Sequence, residues 1–118
     1  MKWWFVLLAM VALPAGAAPS GWIVTGGDVQ RGRVLAQSMG CANCHTIPGL
    51  PHADGNVGPP LTRFADRTFI AGVLRNEPAN LQHWLRHPQQ IVPGNAMPEM
   101  GLDEQQALDL AAFLYTLH

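Results

Sequence analysis

Apolar positions along the chain fall into short groups separated by loops, and each group has its own pattern. Trp3 to Leu13 is an unbroken apolar run, preceded by Met1 and Lys2 and ended by Pro14. Asp28 can cap a helix running towards Met39, with Val29, Val34 and Leu35 apolar and Gly40 as its stop. In RTFIAGVLRN, Phe69, Ile70, Val73 and Leu74 recur at i, i+1, i+4 and i+5, which predicts a second helical segment. Pro78 suits the first turn of another helix, whose stripe is Leu81, Trp84 and Leu85 until Pro88 ends it. The last element is the clearest. Asp103 and Gln106 form a capping-box-like start, and Ala107, Leu110, Phe113, Leu114 and Leu117 make one apolar face. No segment reads convincingly as a strand, so the expected fold is all-α, several short helices joined by long loops.

The loop from Cys41 to Pro60 exceeds the ~12 residues beyond which a loop in a compact domain is usually functional or disordered, and Ile91 to Gly101 comes close to that length. They also carry the most distinctive residues of the chain. Something is expected to fill the space between them.

Composition adds a compartment. The positive start, the apolar run, Pro14 and the small residues of AGAA make the tripartite pattern of a secretory leader, with Ala15-Gly16-Ala17 as the cleavage signal. Residues 1–17 are therefore expected to be a cleaved signal peptide, 18–27 a lead-in and 28–118 one domain. The rival readings are a buried N-terminal helix and an uncleaved anchor. Pro14 interrupts the run well short of the ~20 apolar residues a membrane span needs, so no span is expected in the mature chain. Removing the leader removes Lys2, the only lysine, and leaves six arginines against eight acids. There is no basic run and no aromatic–basic interleaving, which argues against nucleic acid. The remaining chain is rich in glycine and proline, a composition with little apolar surface to bury and a need for some staple.

The chemistry is concentrated in GCANCHTIPG, where Cys41 and Cys44, the only cysteines, precede His45. A zinc site wants four ligands in two close pairs. Only His83 and His87, four apart, offer a second pair. A thioredoxin-like redox pair wants its C-x-x-C at a helix start after a strand, whereas here it follows a helix. A plain disulfide across so short a loop removes little chain entropy. C-x-x-C-H is the attachment signature of c-type haem and accounts for all three residues at once. The two thiols add across the vinyl groups as thioethers, and the imidazole is held beneath the iron as an axial ligand. Such attachment occurs outside the cytoplasm, in keeping with the leader.

On these motifs the chain resembles the class I c-type cytochromes over essentially all of Gly26 to Leu117. Gly32 and RVLAQSMGCANCH match the family's glycine-containing first helix and attachment motif. GPPL, with Gly58, Pro59 and Leu61, matches the G-P-x-L element, whose proline carbonyl accepts a hydrogen bond from the proximal imidazole. PGNAMPEMG matches the late loop that supplies the second axial ligand, through Met97. Leu110 and Phe113 match the closing helix whose aromatic packs on the first helix's glycine. The chain departs from the family in its doubled proline and in lacking the lysine-rich docking face of mitochondrial-type members.

The resemblance implies the cytochrome c fold wrapped around one covalent haem c, with His45 and Met97 as metal ligands and Met100 the nearest rival for the sixth position. It implies that Pro59, Leu61 and Arg67 serve the cofactor, and Trp84 is a haem-packing candidate whose indole can reach a propionate. Leu61, Ile70, Leu74, Leu81 and Leu85 are expected pocket walls by periodicity. A Met/His pair saturates the iron and directs it to one-electron transfer rather than oxygen chemistry. No catalytic residue is expected. The expected function is a periplasmic electron carrier between redox-partner proteins, as a monomer or as a subunit of a larger redox complex. The rivals are an open-site haem enzyme or sensor and a thiol–disulfide oxidoreductase.

Overall fold

Helix α1, Val29–Ser38, begins where the Asp28 carboxylate accepts a hydrogen bond from the Arg31 amide at 2.8 Å. It ends at Met39, after which Gly40 turns the chain away at φ 76°. The computed structural model describes residues 21–118, so the expected leader and the first lead-in residues lie outside the described residues. The predicted extent of α1 holds and Leu35 packs against the core, but Val34 does not face inward with it. Val34 is 65% exposed, and the buried positions are Gly32 and Ala36.

The reason lies in helix α4, Glu104–Leu114. The expected capping box forms: the Asp103 carboxylate accepts from the Gln106 amide at 2.7 Å, and the Gln106 side chain accepts from the Asp103 amide at 3.0 Å. α1 crosses α4 at Gly32, where a Cβ would stand 1.9 Å from the Asp109 carbonyl oxygen and 2.8 Å from the Phe113 Cβ. The two backbones therefore meet at a distance that only glycine allows. α4 is buried nearly all round from Asp109 to Leu114 rather than along one stripe.

Asp109 is the polar exception in that contact. Its carboxylate accepts from the Asp28 amide at 2.8 Å, the Arg31 Nε at 2.9 Å and the Gln105 Nε2 at 2.9 Å. The Arg31 hydrogen bond, more than its burial opposes, holds the carboxyl below the usual carboxylate range.

The segment predicted as a second helix is instead a hairpin. β1, Phe69–Ile70, pairs antiparallel with β2, Leu74–Arg75, in the register Phe69↔Arg75 and Ile70↔Leu74. Ala71 and Gly72, at φ 50° and 73°, take left-handed conformations that no helix continues. The i, i+4 spacing of Ile70 and Leu74 that suggested a helix face is here a cross-strand pair. Phe69 and Val73 stay exposed, at 52% and 56%. The fold is otherwise helical, as expected.

Helix α2, Pro78–Arg86, opens on Pro78 and buries Leu81 and Leu85. Pro88 does not only end it: after His87 it begins the short helix α3, Pro88–Ile91. Between these elements Asn76 is a buried tie point. Its Nδ2 donates to the Phe64 and Arg67 carbonyls at 2.9 and 3.0 Å, and its Oδ1 accepts from the Tyr115 hydroxyl at 2.9 Å. The Trp22 indole donates to the Asn76 carbonyl at 3.1 Å, which fastens the lead-in to the domain. Gly21 lies beside the His118 ring, 3.3 Å from where its Cβ would be. No helix among the described residues is long and apolar enough to cross a membrane.

Candidate cofactor site

Cys41–Asn43 form a single 3-10 turn immediately after Gly40, and the amides of Cys44 and His45 both donate to the Cys41 carbonyl. The following loop folds back onto this turn. The Gly55 amide donates to the Ala42 carbonyl at 3.2 Å, that of Gly58 to Cys44 at 2.8 Å and that of Leu61 to Thr46 at 2.8 Å. Two glycines permit the approach: a Cβ at Gly55 would stand 2.6 Å from the Asn43 oxygen, and one at Gly58 would stand 2.3 Å from the His45 Cε1. The attachment motif and the GPPL element are thus laced together by their own backbones.

The His45 ring lies against Gly58, and its Nδ1–H donates to the Pro59 carbonyl at 2.7 Å. That bond fixes the proton on Nδ1 and leaves Nε2 as the nitrogen with a free lone pair. Cys41 and Cys44 are free thiols, both half-buried. Burial pushes the Cys41 thiol up, and the neighbouring Cys44 adds to the rise. A redox-active thiolate needs the opposite shift.

The other expected site residues are distributed as follows. Leu61, Leu74, Trp84, Met97 and Met100 all pack against the core while remaining partly exposed. Ile70, Leu81 and Leu85 belong to the core itself. Arg67 donates to the Pro60 carbonyl, with its guanidinium carbon 5.8 Å from the Phe64 ring centroid. His83 and His87 have ring centroids 6.2 Å apart. Neither joins the cysteines: among the described residues no three or more His, Cys, Asp or Glu are gathered as a metal site.

Two side chains that carried no sequence signal stand out beside Met97. Gln89 donates to the carbonyls of Asn95 and Met97, and Asn95 accepts from the Met97 amide. The proline–glycine pair before Asn95 was a turn signal that could have drawn attention to them.

The sequence profile of the family described as Cytochrome c matches residues 29–118. The chain belongs to the cytochrome c family. Among curated relatives, this cytochrome is 36% identical over 88 residues to cytochrome c oxidase subunit 2 of Alkalihalophilus pseudofirmus (strain ATCC BAA-2126 / JCM 17055 / OF4), covering 74% of this chain and 25% of the relative. It is 37% identical over 81 residues to the protein of that name from Bacillus sp. (strain PS3), covering 65% of this chain and 23% of the relative. The cytochrome therefore spans about a quarter of the length of these relatives. Cytochrome c2 of Paracoccus denitrificans superposes with a TM-score of 0.55 at 19% identity, over 76% of this chain and 95% of that one, a likeness of fold.

Membership of the family implies haem c and electron transfer. The residues present fit that group. An imidazole nitrogen is left free by the Pro59 bond, two thiols outside any disulfide precede it, and Leu61, Leu74, Trp84, Met97 and Met100 are apolar side chains only partly buried by the core. Arg86 Nε is a buried donor without an acceptor among the described residues, on the helix that carries Trp84.

Proposed function

We propose that this cytochrome is an extracytoplasmic one-electron carrier with a single haem c, attached through Cys41 and Cys44 and ligated by His45 and Met97. The observation that carries the reading is the His45 Nδ1–Pro59 hydrogen bond at 2.7 Å, which commits Nε2 to a ligand's role directly after two free thiols. When bound, haem c supplies a one-electron couple, Fe(III) to Fe(II) and back. The chain's own residues do the rest. His45 is kept in one tautomer and one ring plane by Pro59 and Gly58. Met97 would supply a soft, neutral thioether as the second ligand, which would favour the reduced state and close the site to small ligands. Leu61, Leu74 and Trp84, partly buried against the core, would help to exclude water from the bound group, and Arg67, held against Pro60, keeps a positive charge beside the loop. No residue is assigned to bond-making catalysis.

The leader-like residues 1–17 support export, and the absence of any other cysteine supports a single attachment site. A second reading has one specific observation in its favour: the curated relatives are named as subunits of cytochrome c oxidase. On that reading the domain is the electron-input module of a redox complex, with the same haem chemistry. Purification from the native membrane and periplasmic fractions separates the two, since a free carrier leaves with the soluble fraction and a subunit remains with an oxidase.

The test of the site is direct. Expressed for export in a host competent in haem attachment, the parent protein should be red and keep its haem after denaturation. Cys41→Ala with Cys44→Ala should lose both the covalent pigment and most of the fold. Met97→Ala should admit carbon monoxide to the ferrous protein, while Met100→Ala should not. A stably folded, colourless parent protein would overturn the proposal.

A further inference from the structure

Two amide side chains converge on the segment that carries Met97. Residues 92–95 form a tight turn in which the Asn95 amide donates to the Val92 carbonyl at 3.2 Å. Pro93 occupies its second position and Gly94, at φ 81°, its third, as a type II turn requires. Gln89, on α3, spans this turn. Its Nε2 donates to the Asn95 and Met97 carbonyls, both at 2.8 Å, and its Oε1 accepts from the Gly94 amide at 2.9 Å. Asn95 ties the other side. Its Nδ2 donates to the Pro88 and Val92 carbonyls at 3.1 and 2.7 Å, and its Oδ1 accepts from the Met97 amide at 2.8 Å.

Each amide group thus uses both of its N–H bonds and its oxygen. That pattern fixes its orientation, because a flipped amide would set oxygen against two carbonyls. Glu99 closes the arrangement, accepting from the Gln89 backbone amide at 3.2 Å. The bland account is that these side chains merely satisfy loop backbone. Against it, the bonds bracket one residue: the amide of Met97 is held by Asn95 and its carbonyl by Gln89.

We infer that Gln89 and Asn95 are positioning residues that hold the Met97 thioether in place as the sixth ligand. This rests on the His45/Met97 reading. With the clamp intact, Met97 leaves only when several hydrogen bonds break together. Without it, the loop opens locally while α1, α2 and α4 stay folded. The clamp therefore sets how often the sixth position is open to an outside ligand.

The experiment uses the full exported holo-protein in the ferric state, with imidazole as the competing ligand. Gln89→Met keeps side-chain length and removes the three bonds. It should raise the rate of imidazole binding about tenfold or more and weaken the red sulfur-to-iron charge-transfer band. Gln105→Met is the control. It removes two side-chain bonds, to Gly26 and Asp109, at the α1–α4 contact. It should lower the unfolding midpoint while leaving imidazole kinetics unchanged.

If Gln89→Met behaves like the control, the clamp is refuted. Should Gln89→Met fail to yield holo-protein, Asn95→Asp, which turns a donor into an oxygen facing two carbonyls, is measured in the same way. In the parent protein, the Gly94 and Met97 amides should exchange slowly with solvent, and unprotected exchange at both would also refute the clamp. Met97→Ala runs alongside. If it does not speed imidazole binding, the ligand reading itself has failed. If it does, and neither clamp variant does, only the clamp has failed.

Discussion

Gly58→Ala is the sharpest test of how the His45 ring is held. Gly58 does not take a left-handed conformation, so alanine meets no backbone strain there and the effect is purely steric. The new Cβ would stand 2.3 Å from the His45 Cε1, 2.8 Å from Nδ1 and 2.9 Å from Nε2. Ordinary carbon contacts are ~3.5–4.0 Å, so something must move by more than about 1 Å. The glycine cannot retreat freely, because its amide is bonded to the Cys44 carbonyl at 2.8 Å. The ring cannot turn without losing its 2.7 Å bond to Pro59. Overpacking typically costs ~1–3 kcal/mol, and the lost hydrogen bond adds ~0.5–1.5 kcal/mol. The sum, about 2–4 kcal/mol, is a large share of the ~5–15 kcal/mol that stabilises an ordinary domain. Denaturant unfolding of the holo-protein measures that loss, and the reduction potential reports the changed imidazole. An unchanged midpoint with an unchanged potential would refute the account of the Gly58–His45–Pro59 contact.

Three further outcomes follow from the packing and the backbone. Gly32→Ala should destabilise by roughly 3 kcal/mol in denaturant unfolding, because the added carbon meets the α4 backbone, although the same change in an exposed helix would stabilise by up to ~1 kcal/mol. Ala71→Gly should stabilise by about 1 kcal/mol in the same assay, since Ala71 sits at φ 50° and glycine pays no left-handed penalty there. Asp109 has a folded-state affinity for protons below its unfolded one, so its contribution is complete above the ordinary carboxylate range and disappears as pH falls through the lowered folded value. The acid limb of stability against pH should be shallower in Asp109→Asn than in the parent protein, as followed by unfolding midpoints at successive pH values.

The sequence was most informative where a residue type has one dominant use. Asp28, Gly40, Asp103 and Gln106 announced helix ends because capping groups and left-handed glycines are local matters. The attachment motif and the GPPL element were legible for the same reason, and the structure brings them together through backbone hydrogen bonds. The hairpin was not legible. Its apolar spacing satisfies a helix and a cross-strand pair equally, and the deciding left-handed residue is Ala71, a residue that ordinarily favours helix. Val34 was misread as inward-facing because periodicity weighs side-chain size, while the contact with α4 selects the smallest residues, Ala36 and the Gly32 that the family match had singled out. Gln89 and Asn95 were invisible as a pair, since two amides six residues apart acquire meaning only when a turn folds one over the other.

Two positions far apart in sequence are neighbours in space: Gly21 packs beside the His118 ring, next to where the Ala65 amide donates to the Leu117 carbonyl. Where two distant points of a packed segment lie side by side, the stretch between them behaves as a self-contained cassette. It can be threaded onto another protein's terminus or seated within one of its surface loops without stretching any internal element. A circular permutant that joins His118 to Gly21 by a short glycine–serine bridge, with new ends opened at the exposed Gly72 hairpin tip, should still fold around its cofactor.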